Sequence, residues 1–203
     1  MERRIFMKYS MLTMTTLILP NIAFAQDVTH VKRYANPFSE EEVFSLIEKA
    51  EGQFKLILIF QFFTGARPNE MINLKWKDID FKNKTINIST RKIDMPTIVA
   101  TALRNQYVET GSKSKFVFLD TSEKVATPYI GVDKLRKKQW TNLLKEVGLK
   151  YRKFSITRHT FAITSLNNGE KPEWVGVKML GHSSSRITNK YYQKYKINRD
   201  RLL

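Results

Sequence analysis

The sequence contains no cysteine, which excludes disulfide bonds and thiolate metal sites but leaves the cellular compartment open. Histidine is nearly absent as well: only His30, His159 and His182 occur, and none is paired at the four-residue spacing of helical zinc-protease motifs. Acidic residues are also scarce, since 19 Asp and Glu stand against 35 Lys and Arg, for a net charge of +16. We therefore expect no metal centre, no cofactor and a polyanionic partner. Nucleic acid is the first candidate, and an anionic membrane surface is the second.

The chain is long enough for one full-sized domain, and its 42% apolar content supports a packed core. Hydrophobic periodicity predicts a mainly α fold with one small antiparallel sheet, of the α+β class. A capping box at Ser39 starts the first predicted helix and Gly52 ends it, and a buried helix follows at 54–63. Strands are predicted at 85–89, returning near Met95, and at 116–119. Further helices are predicted at 68–74, 97–108, 132–147, 156–167, 172–180 and 189–194.

The first 25 residues have the pattern of a secretory signal peptide, in which basic residues precede an apolar run that ends in Ala23-Phe24-Ala25. The alternative is a fused or misassigned start upstream of a cytoplasmic domain. We rank this alternative first, because the rest of the chain favours contact with DNA. The apolar run is too short for a comfortable membrane span, so no membrane partner is expected. Residues 26–37 are interpreted as a linker, and residues 38–203 as the functional domain.

Three short motifs carry the polar residues of greatest interest. The first is Thr64-Gly65-Ala66-Arg67-Pro68-Asn69-Glu70, the second is Arg158-His159-Thr160-Phe161, and the third is Leu180-Gly181-His182-Ser183-Ser184. Tyr191 follows His182 by nine residues. Each motif alone is explained equally well by a helix cap, a local ion pair or a packed aromatic ring.

Taken together and in this order, the motifs resemble the tyrosine recombinases of the phage-integrase type. The catalytic domain of that family has a Thr-Gly-x-Arg-x-x-Glu box, a lysine in a β-hairpin, a His-x-x-Arg-His box, a Leu-Gly-His box and a tyrosine nine residues later. The resemblance covers about four-fifths of the chain, from Pro37 to Tyr195. It implies the catalytic-domain fold of that family, double-stranded DNA as the substrate, and a homo-oligomer assembled on DNA.

The resemblance also implies a role for each matching residue. Arg67 and Arg158 would bind the non-bridging oxygens of the scissile phosphate, because guanidinium forks fit such oxygens and stabilise developing charge. His182 would donate a hydrogen bond to the same phosphate. Tyr191 would be the nucleophile, forming a 3′-phosphotyrosine and releasing a 5′-hydroxyl, and Tyr192 is the alternative. Lys92 would be the general acid that protonates the leaving oxygen, with a plain phosphate contact as its alternative.

Other residues are assigned supporting or binding roles. Glu70 would brace the arginines, and Arg91 makes the alignment at Lys92 uncertain by one residue. A basic helix face would either bind DNA phosphates or simply be solvated. The predicted DNA-binding residues are Arg91, Lys134, Lys137 and Lys138.

Two departures from the family pattern shape the expectations. Ser155 stands where the family usually has histidine, and a hydroxyl cannot act as an imidazole acid or base, so we expect a slower enzyme. Only about 37 residues precede the match, whereas family members usually carry a DNA-clamping domain of about a hundred residues there. We therefore expect weak, strongly salt-dependent DNA binding. The alternatives are a truncated, non-catalytic DNA-binding remnant and an exported basic protein. Type IB topoisomerases share the chemistry, but the Leu-Gly-His box favours a recombinase.

Overall fold

The computed structural model describes residues 36–111, 113–120, 127–128, 135–186 and 188–189. Its helices are α1 (Glu40–Lys49), α2 (Gly52–Thr64), α3 (Pro68–Ile72), α4 (Thr97–Thr110), α5 (Thr141–Glu146) and α6 (Ile156–Asn167). Its strands are β1 (Ile79–Asp80), β2 (Thr85–Ile88), β3 (Arg91–Asp94), β4 (Leu119–Asp120) and β5 (Thr127–Pro128). A 3₁₀ turn spans Trp76–Asp78, and π-helical stretches span Leu135–Trp140 and Trp174–Met179. The predicted mainly α fold with a small antiparallel sheet is confirmed.

The capping box predicted at Ser39 is present at the start of α1. The Ser39 hydroxyl accepts from the Glu42 N–H at 3.2 Å, and the Glu42 carboxylate accepts from the Ser39 N–H at 2.9 Å. The predicted end of this helix at Gly52 is wrong, because α1 stops at Lys49 and Gly52 is the first residue of α2. A glycine can begin a helix as well as end one, because its backbone adopts both positive and negative φ without steric cost.

Helix α2 is the centre of the core. Every residue from Leu56 to Thr64 is buried, as the unbroken apolar run predicts, and the helix packs against α1, α4 and α6. Around it lie Phe38, Trp140 and Phe154, whose rings meet edge to face at centroid distances of 5.2 to 5.7 Å. Such aromatic packing fixes the path of the chain before α1 against the region that leads into α6.

The small sheet has three antiparallel strands in the order β1-β2-β3. Its register stacks Ile79, Ile86 and Ile93 across the strands on one face, and all three are buried. Because strand residues alternate between faces, Lys92 lies on the opposite face, where it is exposed. The first strand was not predicted, and neither was the separate pairing of β4 with β5.

No helix in the described part of the chain combines the length and the apolar character that crossing a membrane requires. The signal-like segment predicted at residues 1–25 and nearly all of the linker predicted at 26–37 lie outside the described residues. The last predicted helix, at 189–194, also lies almost entirely outside them.

Candidate functional site

The first motif begins in a sharp turn at the end of α2. Gly65 closes the helix in the left-handed conformation, with φ of 63°. A Cβ there would lie 2.4 Å from a ring carbon of Phe161 and 2.6 Å from a methyl carbon of Leu180. Glycine is therefore required both by the backbone conformation and by the space available. Its absence of a side chain lets the three motifs of the sequence come together at one point.

Arg67 stands directly before α3, where Pro68 starts the helix, and its side chain is half exposed. Glu70, one turn later, accepts from the Arg67 backbone N–H at 2.8 Å and from its guanidinium at 3.0 Å. Glu70 thus holds both the main chain and the side chain of Arg67. The bracing role of Glu70 stays a prediction, and these two bonds are consistent with it.

Glu70 has a second and tighter partner in Arg91, at the start of β3. The two guanidinium nitrogens of Arg91 donate to the two carboxylate oxygens at 2.8 and 2.7 Å. Burial alone would raise the pKa of Glu70, but the hydrogen bonds and charge of Arg91, with those of Arg67, outweigh burial and lower this pKa to about 2. Glu70 is therefore ionised across the physiological range and neutralises part of a dense positive cluster.

Arg91 also reaches the third motif. Its Nε donates to the Met179 carbonyl at 3.0 Å, and its side chain is only 11% exposed. The carbonyls at the end of a helix lack intrahelical partners, so this bond gives a terminal carbonyl of the π-helical stretch a hydrogen-bond donor. Arg91 is one of the residues predicted from the sequence to contact DNA. The guanidinium instead holds two parts of the protein together, and the DNA contact stays a prediction.

Arg158, on the first turn of α6, connects the first and third motifs. One terminal nitrogen of its guanidinium donates to the Gly65 carbonyl and the other to the Leu180 carbonyl, at 2.5 and 2.6 Å. Arg67 follows Gly65 by two residues, and His182 follows Leu180 by two. Arg158 therefore holds the chain on both sides of the site and brings Arg67 and His182 to one place.

His182 lies within this positive cluster. Burial lowers its pKa, and the charges of Arg158 and Arg67 lower it further, to about 4. The imidazole is therefore neutral near pH 7. Its Nδ1 lies 2.9 Å from the Thr188 hydroxyl, and its backbone N–H donates to the Gly176 carbonyl at 2.8 Å. The neighbouring His159 is also kept neutral, because burial and then Arg158 lower its pKa.

Lys92 is not brought into this cluster by the structure. It lies on the opposite face of β3 from Arg91, near Asp80, whose pKa it helps to lower after the hydrogen bonds from Asn83. The β2–β3 hairpin is tight, with Ile88 paired to Arg91 and Ser89 in the left-handed region at φ of 55°. A two-residue turn leaves little freedom to move Lys92 to the other face.

The comparisons with known proteins identify the family of this chain. The model of the phage integrase family matches residues 36–197. The chain belongs to the phage integrase family. A tyrosine recombinase XerC-like protein of Caldanaerobacter subterraneus subsp. tengcongensis is 29% identical over 76% of the chain and 49% of that protein. The tyrosine recombinase XerA of Pyrococcus furiosus is 29% identical over 79% of the chain and 58% of that protein.

A solved structure of a recombinase has the same fold. The crystal structure of a XerA recombinase superposes with a TM-score of 0.68 at 25% identity, covering 79% of the chain and 59% of that structure. The chain spans about half the length of the curated relatives it matches. The domain boundary predicted at residue 38 stays a prediction.

Several predicted site residues of this integrase-family chain remain predictions. Tyr191, Tyr192 and Lys134 lie outside the described residues, as does the side chain of Lys137. Lys138 is exposed, on the π-helical stretch before α5. Ser155 is exposed immediately before α6, one helical turn from Arg158, and its hydroxyl makes no capping bond. Within the described residues no group of three or more His, Asp or Glu could hold a metal ion.

Two contacts within the cluster were not predicted from the sequence: the one between Thr188 and His182, and the bridge that Arg91 forms. Thr188 follows His182 by six residues, and nothing in its local pattern distinguishes it from the neighbouring serines. The bridging role of Arg91 was missed because its partners lie 21 and 88 residues away. The available indication of this role was that Arg91 occupies a strand position that faces the core, since a buried charge needs a partner.

Proposed function

We propose that this chain cuts and rejoins DNA at specific sites, with Tyr191 as the nucleophile and a 3′-phosphotyrosine as the intermediate. The observation that carries the proposal is the Arg158 guanidinium, which joins the carbonyls of Gly65 and Leu180. This connection gathers Arg67, Arg158 and His182 around one point. Membership in the phage integrase family supports the same reaction class.

The chemistry needs fixed positive charge at the phosphate. The Tyr191 oxygen attacks phosphorus, a phosphotyrosine bond forms, and the bond to the 5′-oxygen breaks. Negative charge grows on the non-bridging oxygens, and donors that are already in place stabilise it without reorganisation. Because the phosphotyrosine retains the bond energy, the released 5′-hydroxyl can reverse the step, and rejoining needs no ATP.

DNA is the proposed substrate because the net charge of +16 matches a polyanion. Lys138 and its basic neighbours, including Lys134 and Lys137, are proposed phosphate contacts outside the cluster. Recombination needs strands from two duplexes, so a homo-oligomer on DNA is part of the proposal. A cytoplasmic location is also part of it, since cellular DNA is there.

Covalent trapping tests the proposal. The purified chain is incubated with nicked suicide duplexes taken from DNA that flanks its own gene, and denaturing gels reveal any protein–DNA adduct. We expect an adduct with the wild type and none with Tyr191→Phe, while Tyr192→Phe, the matched control, still forms it. Tight DNA binding without an adduct on any flanking substrate would instead identify a non-catalytic DNA-binding protein.

The general acid is tested separately, because the structure leaves Lys92 on the far face of its strand. Replacing the leaving 5′-oxygen with sulfur gives a leaving group that needs no protonation. If Lys92 is the acid, the sulfur substrate restores cleavage by Lys92→Gln. If the same substrate restores His182→Gln and not Lys92→Gln, the acid is His182 and the role of Lys92 is wrong.

A further inference from the structure

Thr188 meets the site histidine from inside the protein. Its side chain is fully buried, and its hydroxyl oxygen lies 2.9 Å from Nδ1 of His182. The backbone of His182 is fixed independently by the bond from its N–H to the Gly176 carbonyl. The ring is therefore held at two points, one through the main chain and one through Nδ1.

Gly176 provides the space that this contact requires. A Cβ on Gly176 would lie 1.8 Å from the Thr188 hydroxyl oxygen, closer than any non-bonded atoms approach. The backbone of Gly176 does not have a positive φ, so its conformation does not explain a glycine there. The missing side chain instead lets Thr188 pack directly against the π-helical stretch Trp174–Met179. Glycine at 176 and threonine at 188 are thus fitted to each other.

The contact matters because a neutral imidazole has one N–H and one acceptor nitrogen. A phosphate oxygen only accepts, so the ring nitrogen that meets it must carry the proton. If Nδ1 faces Thr188, that nitrogen is Nε2, and Nδ1 must then accept from the threonine hydroxyl. Burial first, and then the charges of the surrounding arginines, lower the pKa of the ring and keep it neutral, so the choice of tautomer decides whether His182 can donate.

We propose that Thr188 is a positioning residue whose buried hydroxyl donates to Nδ1 of His182 and so holds the proton on Nε2, the nitrogen that bonds the scissile phosphate. This inference rests on the proposed function for its last clause. The bond between the Thr188 hydroxyl and His182 forms in the free protein and is tested without DNA. Thr188 acts through His182 and contacts no substrate.

The test is the tautomer of His182 in the full chain labelled with ¹⁵N-histidine, read at pH 7 from long-range proton–nitrogen spectra. Only three histidines occur, so loss of one signal set in His182→Gln assigns the ring. We expect the Nε2–H tautomer in the wild type and in Thr188→Ser, which keeps the hydroxyl. We expect Thr188→Val, which removes it at nearly equal volume, to give a mixture of tautomers.

Gly176→Ala is an independent variant, because the added methyl displaces the Thr188 hydroxyl and should give the same mixture. If Thr188→Val fails to fold, judged by circular dichroism, Thr188→Ala replaces it in the same spectra. An Nδ1–H tautomer in the wild type, or an unchanged tautomer in the folded variants that lack the hydroxyl, would overturn the proposal.

Cleavage of the suicide substrate gives the functional readout. Loss of one neutral hydrogen bond predicts cleavage slower by about 2- to 10-fold in Thr188→Val, with DNA binding unchanged and Thr188→Ser close to the wild type. Equal losses in Thr188→Ser and Thr188→Val would indicate a packing role and refute the positioning role. If neither the wild type nor any variant cleaves DNA but the tautomer follows the hydroxyl, the proposed function fails and the role of Thr188 in the free protein stands.

Discussion

Glu70 is the acidic partner on which the positive cluster depends, and its removal should be costly. In Glu70→Gln, the Arg91 guanidinium, 11% exposed, loses its bidentate partner while Arg67 and Arg158 remain nearby. The pKa of Glu70 falls from 4.5 to about 2 in the folded protein, which corresponds to about 3 kcal/mol of stability near pH 7. Breaking a buried pair typically costs a similar amount, about 3–5 kcal/mol.

Urea unfolding followed by circular dichroism measures this loss, with Asp94→Asn as the matched control. Asp94 pairs with Lys178 at 2.8 Å, but both side chains are close to half exposed, so its loss should cost under about 1 kcal/mol. Because the folded pKa of Glu70 is depressed, its contribution is complete above about pH 4.5 and declines toward pH 2. A loss in Glu70→Gln no larger than in Asp94→Asn, or one that does not diminish over this pH range, would refute the reasoning.

Three further predictions follow from the same geometry. Gly65→Ala should lower the free energy of unfolding by about 3 kcal/mol, because the methyl group strains the left-handed backbone and clashes with Phe161. Its control is Gly148→Ala, at φ of 71° with nothing within 4 Å of the added Cβ, which should lose only about 1 kcal/mol. Equal losses in urea unfolding would contradict the close approach at Gly65. The wild type should lose stability as the pH is lowered from 6.5 to 4, because the pKa of His182 is depressed in the folded protein and the unfolded chain binds the proton first. This loss should be smaller in His182→Gln, and identical pH profiles would contradict a depressed pKa. Ser155→His should raise the rate of adduct formation on the suicide substrate, and a slower rate would count against a missing imidazole.

The sequence predicted those elements whose pattern is local. The Ser39 capping box, the apolar run of α2 and the helix over 156–167 all appear, because a cap or an unbroken apolar stretch acts within a few residues. The two-residue strand β1 and the pairing of β4 with β5 were missed, since strands of this length have no period to detect. Gly52 was misassigned because glycine is compatible with either end of a helix.

The candidate site divides in the same way. Motif order identified Arg67, Arg158 and His182, and the structure brings these three together. The order of the motifs could not reveal that the Arg91 side chain is buried or that Thr188 contacts His182, because both depend on contacts made only after the chain folds. The general-acid role of Lys92 was assigned from chain order, which does not determine the face of a strand.

The most direct test of the central claim is to identify the residue that becomes joined to DNA. The trapped adduct is digested with protease and nuclease, and mass spectrometry locates the remaining nucleotide on the peptide. We expect it on Tyr191, with no adduct when Arg158 is replaced by alanine in a variant that remains folded. A nucleotide on any other residue, or an adduct that forms equally well without Arg158, would contradict the account.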